Sequence, residues 1–145
     1  MRRVLPLAFF LSSALLTGCA KDTEPMPAPV YLLDQRWVLT GIEGHAPSQQ
    51  SGSSATDLFL SSVDSRNSGQ APCNRYGGKY QLTAGTAQLT FGDQFSTYAA
   101  CADQNQEARY FQLLPQVRRY VISNGELSLY DAEHAQPLLV YKAAE

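Results

Sequence analysis

The chain has 145 residues, 44% of them hydrophobic, with 11 Lys+Arg against 13 Asp+Glu and a formal net charge of −2. A mildly acidic chain without a basic run has no electrostatic footprint for nucleic acid. It also lacks the polybasic patch that would hold a protein on anionic lipid.

The N-terminus is laid out as a secretory signal. Arg2 and Arg3 precede an apolar run from Val4 to Leu16, followed by small residues. That run is about 13 residues long, short of the roughly 20 needed to span a bilayer as a helix. In place of an Ala-x-Ala cleavage site stands Leu16-Thr17-Gly18-Cys19, which resembles the lipobox of bacterial lipoproteins. The resemblance implies that residues 1–18 are a removed signal peptide and that Cys19 is lipidated and becomes the mature N-terminus. A thiol is the natural nucleophile to accept a diacylglyceryl group. The alternative is an ordinary signal peptide with a chance cysteine. Loss of Arg2 and Arg3 leaves a mature net charge of −4. The membrane partner is therefore reached through acyl chains alone, each buried CH₂ contributing ~0.8 kcal/mol. Ala20 rather than Asp follows Cys19. By resemblance to lipoproteins of diderm bacteria, this implies the outer membrane, with the domain facing the periplasm.

Residues 19–30 then read as a lipidated tether, semi-rigid because Pro25, Pro27 and Pro29 alternate with little to bury. Residues 31–145 make one domain without internal repeat, of a size that supports a single core. A first strand is expected over Arg36 to Ile42, with Trp37 and Leu39 inward. His45 to Ala55 is polar and Ser/Gln-rich and reads as a long mobile loop. A strand over Asp57 to Val63 follows. Gly85 could open a type II′ turn with Thr86, pairing Leu82 with Leu89 and Tyr80 with Phe91. One helix is expected over about 103–115. Asp103 and Gln106 suggest a capping box, Ala108, Phe111 and Leu114 form an apolar stripe, and Pro115 ends it. Asn124-Gly125 between alternating runs is the strongest local signal, a hairpin pairing Ile122 with Leu127 and Tyr120 with Leu129. A last strand covers Leu138 to Lys142. Seven or eight strands with one helix predict a mainly β (α+β) fold, an antiparallel sheet curled into an open barrel.

With Cys19 acylated, Cys73 and Cys101 remain as an even pair in an oxidising compartment. A structural disulfide, worth roughly 3–4 kcal/mol in the chain-entropy picture, competes with a redox-active pair. Their wide separation favours the structural bridge. Little else suggests catalysis. His45 and His134 lie in polar segments without a second ligand at metal spacing. Asp57 and Asp64 read as solvated charges rather than a carboxylate dyad. Tyr76-Gly77-Gly78-Lys79 is followed by strand rather than helix, which argues against a phosphate loop. No catalytic residue, metal or cofactor is expected, and the domain is expected to be monomeric.

Two segments carry a family resemblance: Pro72-Cys73-Asn74-Arg75-Tyr76-Gly77-Gly78-Lys79-Tyr80, and Ser96-Thr97-Tyr98-Ala99-Ala100-Cys101 followed by Glu107, Phe111 and Leu114. With Trp37-Val38-Leu39 at the front and Leu127-Ser128-Leu129-Tyr130 near the end, the chain resembles the META domain, the HslJ-like family of bacterial envelope proteins. Ala71-Pro72 departs from the small residue or Gly usual before Cys73. The resemblance implies a non-enzymatic role associated with heat-shock or antibiotic stress, and no cofactor. It carries over Cys73, Asn74, Tyr76 and Gly78 from the first motif, and Thr97, Ala100, Cys101 and Glu107 from the second. Their expected roles are structural (Asn74 in a turn, Gly77 or Gly78 at positive φ, and Thr97 with Glu107 bonded where helix meets sheet), the alternative being that they line a ligand groove. The competing expectations are a pilotin-like or lipid- or peptide-binding lipoprotein, with a cavity lined by Leu82, Leu89, Phe91 and Ile122, a thiol–disulfide redox protein, and an inhibitor of a cell-wall hydrolase.

Overall fold

In the computed structural model, which describes residues 31–144, one antiparallel sheet of eight strands curls into a half-barrel around one short helix. The signal peptide, Cys19 and the tether lie outside the described residues. The strands are β1 (Arg36–Ile42), β2 (Asp57–Leu60), β3 (Arg66–Gln70), β4 (Arg75–Leu82), β5 (Leu89–Ser96), β6 (Arg119–Ser123), β7 (Glu126–Tyr130) and β8 (Leu139–Ala143). Helix α1 (Gln104–Leu113) runs into a 3₁₀ turn, Leu114–Gln116, before β6. Across the sheet the order is β5-β4-β3-β2-β1-β8-β7-β6.

The two ends of that row come back together. The N–H of Leu89 donates to the carbonyl of Arg118 at 3.1 Å, and that of Tyr120 to Ala87 at 2.9 Å. The edges are thus paired at the end of the barrel nearer the β4–β5 hairpin, while α1 closes the other. The contact is short, an isolated bridge of Gln88 with Arg119, and covers the two sheet edges only at this point.

The Asn124-Gly125 turn forms as expected, with φ of 52° and 75°, and pairs Ile122 with Leu127 and Tyr120 with Leu129. Two consecutive positive φ values define the tight turn whose twist matches the flanking strands. The β4–β5 hairpin has the expected register, Tyr80 with Phe91 and Leu82 with Leu89, but another turn. Thr86 N–H donates to the Thr83 carbonyl at 3.1 Å, so Ala84 and Gly85 are the central residues and Gly85 supplies its φ of 74° in the third position. Within the hairpin Leu82 is half exposed rather than fully inward.

Gly77 and Gly78 do not take positive φ; both are extended residues of β4. Their missing side chains make room instead. A Cβ on Gly77 would lie 2.9 Å from the ring of Phe95, and one on Gly78 would collide with the amide of Gln94. Gln94 crosses there to exchange amide hydrogen bonds with Asn67 at 2.8 and 3.0 Å, stapling β3, β4 and β5 together. A bulge at this point, with Asp93 at φ 50°, bends the strand pair.

The core is built from Trp37, Leu39, Leu58, Leu60, Leu89, Leu127, Leu129, Leu139 and Tyr141 of the strands with Tyr110, Leu113, Leu114 and Val117 of the helical segment. Trp37 Nε1–H donates to the carbonyl of Leu32 at 3.0 Å, drawing the first described residues across the barrel end. The inward face of α1 carries Glu107, Tyr110 and Leu113 rather than the expected Ala108, Phe111 and Leu114 stripe. Leu114 is buried and Phe111 half-buried, but Ala108 faces solvent. A hydrophobicity pattern scores Glu107 as outward, so the face shifts by one residue once that carboxylate finds donors inside.

Tyr76 lies opposite Gly69, and its ring occupies the space a side chain would need. A Cβ on Gly69 would also strike the Asp57 carbonyl, whereas one on Gly92 would meet nothing within 4 Å. Gly69→Ala is therefore expected to cost about 1–3 kcal/mol in urea unfolding. Gly92→Ala should stay within about 0.5 kcal/mol of the parent.

Candidate functional site

The motif residues meet where the start of α1 faces two loops at one end of the barrel. Glu107 lies in the first turn of the helix, where the aligned peptide dipoles favour a negative group. Its Oε2 accepts the N–H of Cys73 at 2.8 Å and of Asn74 at 2.9 Å, and its Oε1 accepts Asn74 Nδ2 at 2.5 Å. Asn74 is saturated. Its Nδ2 also donates to the Ala99 carbonyl at 2.9 Å, and its Oδ1 accepts Ala99 N–H at 2.7 Å and Thr97 Oγ1 at 2.9 Å. Four bonds in this arrangement fix which amide atom is oxygen. Thr97 Oγ1 in turn accepts the N–H of Arg75 at 3.2 Å. Asn74 and Glu107 are each only 5% exposed, so these bonds replace solvent rather than compete with it.

A disulfide joins Cys73 to Cys101 across the same loops, with the Cα atoms 5.4 Å apart. Of the expected site residues, Cys73, Asn74, Thr97, Cys101 and Glu107 come together here. Tyr76 lies beneath them, while Gly78 belongs to the Asn67–Gln94 staple further along β4. Ala100 is exposed in the loop, and Cys19 lies outside the described residues.

Under the clamp runs a chain of buried tyrosine hydroxyls. Tyr76 donates to the Asp57 carbonyl at 2.7 Å, which leaves Tyr110 as the donor in the 2.6 Å bond to Tyr76. Tyr141 donates to Tyr110 at 3.1 Å. Burial pushes the pKa of the Tyr76 and Tyr141 phenols well above the ordinary value and that of Tyr110 to about 12. The chain therefore stays neutral and links β4, α1 and β8.

Sequence reasoning missed several of these groups. Tyr110 stands three residues after Glu107, a spacing that would have placed both on one helix face. Asp57 is buried, not solvated: its Oδ1 accepts Gln70 N–H at 2.8 Å and its Oδ2 accepts Arg36 Nε at 2.7 Å. Asp64 is exposed, as read. Asp103 makes no capping bond from its side chain. It accepts instead from Ser48 Oγ at 2.8 Å, Gln50 N at 2.8 Å and Gln50 Nε2 at 2.9 Å. The Gln50 N–H, then the neighbouring side chains, hold its carboxyl below the usual range. Gln106 pairs with the backbone of Ser48. The supposed capping box thus anchors the loop expected to be mobile.

His134 pairs with Asp131. Its Nδ1 sits 2.6 Å from Asp131 Oδ2, and Asp131 Oδ1 also accepts the His134 N–H at 2.8 Å. The residues expected to line one apolar cavity are divided. Leu89 is fully buried, Phe91 lines an outer groove, Leu82 a shallow cavity near Leu32, and Ile122 packs half-buried against the core. Among the described residues no group of three or more His, Cys, Asp or Glu is placed to hold a metal ion, and no helix is long and apolar enough to cross a membrane.

A curled antiparallel half-barrel closed by a helix, with the Cys73–Asn74 and Thr97–Cys101 segments joined at the helix start, defines a small mainly β domain. The META domain family matches residues 30–145, and the chain belongs to that family. A solved NMR structure of a protein from Burkholderia xenovorans is similar at 27% identity and TM-score 0.58, covering 86% of this chain and 96% of that one. A second NMR structure, at 21% identity and TM-score 0.56, covers 74% and 87% and shares the fold. No curated protein matches the chain.

Glu107→Gln removes an acceptor and turns an amide N–H₂ toward groups that already donate. It should lower stability by about 2–4 kcal/mol in chemical denaturation, and an Asn74→Ala/Glu107→Ala cycle should show coupling of about 1–3 kcal/mol. The Asp131–His134 pair gives a pH signature. Two hydrogen bonds from His134, the backbone one first, lower the Asp131 carboxyl to about 2, and Asp131 raises His134 above 6.5. The depressed acid contributes above 3.8 and loses its contribution as pH falls toward about 2. The raised imidazole contributes below 6.5 and loses its contribution as pH rises through its folded value. The pair is thus complete between those two ordinary values. In an NMR titration His134 should titrate above 6.5, and Asp131→Asn should return it toward that value.

Proposed function

We propose that this META domain is a non-enzymatic binding module, tethered to the outer membrane through Cys19 and contributing to tolerance of heat or antibiotic stress from the periplasmic side. One observation carries the reading. The polar side chains of the motif are spent on the fold itself: Asn74 makes four hydrogen bonds and Glu107 three, all within the clamp. Nothing in that set is left to hold or move a proton on a substrate. What the same region offers to solvent is aromatic surface. Tyr98 is fully exposed and Phe95 63% exposed, beside a groove of about 430 Å³ lined by Phe91, Phe95, Phe111 and Pro115. Exposed aromatic residues around a groove are the composition expected of a contact surface.

A photo-reactive amino acid at Tyr98 tests this in cells, because the position packs against nothing. Cross-linking before and after heat or antibiotic stress should trap the same envelope component in repeated experiments. Absence of any adduct above background in both states would overturn the reading.

A further inference from the structure

We propose that the barrel end at which the chain emerges from residue 31 is a membrane-contacting face, seated on lipid and not only suspended from it. The inference rests on the lipid-anchored reading above. Among the described residues, three of the exposed large hydrophobic side chains lie at this end: Tyr31 at 71% exposure, Val63 at 92% and Leu82 at 36%. They belong to distant stretches of chain brought together by the fold. Asp34 N–H donates to the Leu60 carbonyl at 2.9 Å and its Oδ1 accepts Ser62 N–H at 2.9 Å, tying the first described residues to the β2–β3 turn that carries Val63. Tyr31, Leu33, Ser62, Leu82 and Tyr120 line one shallow open cavity there. The surface is therefore a shelf of aromatic and aliphatic groups, shared with the polar Asp34, Gln35 and Ser62 and bordered by Val63 on the β2–β3 turn.

The occupant follows from the length of the chain that precedes it. Twelve residue steps separate Tyr31 from Cys19. Even fully drawn out they reach only about 40 Å. On the lipid-anchored reading this end of the domain stays within about 40 Å of the bilayer, and the groove at Phe95 is further away by up to the length of β4. At such an effective concentration, a few interfacial aromatic and aliphatic residues suffice to bias orientation, although they would not recruit a soluble protein. Charge does not drive the contact: Asp34 lines the same cavity and stays ionised, its carboxyl lowered by the hydrogen bond from Ser62, and Asp64 lies 3.9 Å from Arg66. Contact carried by the apolar groups should therefore persist without anionic lipid.

The test uses the full mature lipoprotein in phosphatidylethanolamine vesicles, with and without phosphatidylglycerol, some carrying brominated acyl chains. Val63→Trp and, separately, Phe95→Trp add a reporter to the buried Trp37 at exposed positions where the fold is not at risk. Phe95 pairs with Gly77, at the opposite end of β4 from Leu82, and serves as the distal control. Bromolipid should quench Val63→Trp about twofold or more over Phe95→Trp, equally with and without phosphatidylglycerol. Vesicles that float with the protein but leave Val63→Trp no more quenched than Phe95→Trp overturn the inference and spare the anchor. A protein that does not float with vesicles overturns the anchor, and this inference with it.

Discussion

Three backbone and side-chain N–H groups converge on the carboxylate of Glu107, and the position of nearly every other element at that end of the barrel follows from this. The loop at Cys73 and Asn74 turns too sharply for its own N–H groups to find strand partners. Buried and unmet, each would cost on the order of 1–3 kcal/mol. A residue on α1 supplies the acceptors, so the helix cannot slide or rotate without orphaning them. Asn74, held by Glu107, then gathers Thr97 and Ala99, and the Cys73–Cys101 bridge closes the same two loops covalently. An apolar residue at 107 would bury more comfortably, but would leave the loop donors without partners.

The fixed helix in turn sets how the sheet closes. Tyr110 projects from the middle of α1 to meet Tyr76 of β4 and Tyr141 of β8, strands on opposite flanks of the sheet. Since α1 occupies the gap between those flanks, β5 and β6 can pair only beyond it, where Leu89 and Tyr120 make the joining bonds. The bulge at Asp93 bends the edge of β5 just where it passes α1. Half-barrel and helix are thus one solution to one problem: a sheet too strongly curled to stay flat, too short in its edge contact to close alone.

Much of this was legible wherever turn chemistry and alternation agreed. Asn124-Gly125 fixed a register because a one-residue slip would have turned Leu127 and Leu129 outward. Trp37 and Leu39 announced β1 in the same way. Legibility failed where polar residues do buried work. Arg66-Asn67-Ser68-Gly69-Gln70 has no apolar alternation, yet forms β3 because Asn67 is satisfied by Gln94 and Gly69 accommodates Tyr76. Asp103 and Gln106 have the spacing of a capping box, but their partners are residues 48 and 50, which no local pattern can reveal. Gly77 and Gly78 looked like turn residues because a missing side chain reads the same whether it frees φ or clears space. The motif residues themselves were recognisable as a set before their geometry was known; that one carboxylate joins them was not.

The two ends of the barrel solve burial in opposite ways, and the difference bears on orientation. At the helix end, polar groups are paired internally and the solvent-facing remainder is aromatic, at Phe95 and Tyr98. At the other end Leu32 is tucked under Trp37, and Tyr31, Val63 and Leu82 are left outside. Strand β4 runs between them with eight residues, a distance of roughly 25 Å. A domain resting on lipid at Tyr31 would present its aromatic groove and its exposed loop away from the bilayer. A partner at that groove and a bilayer at Tyr31 would not compete for surface. The rigid clamp at Glu107 would hold the distal loop at a fixed height above the membrane.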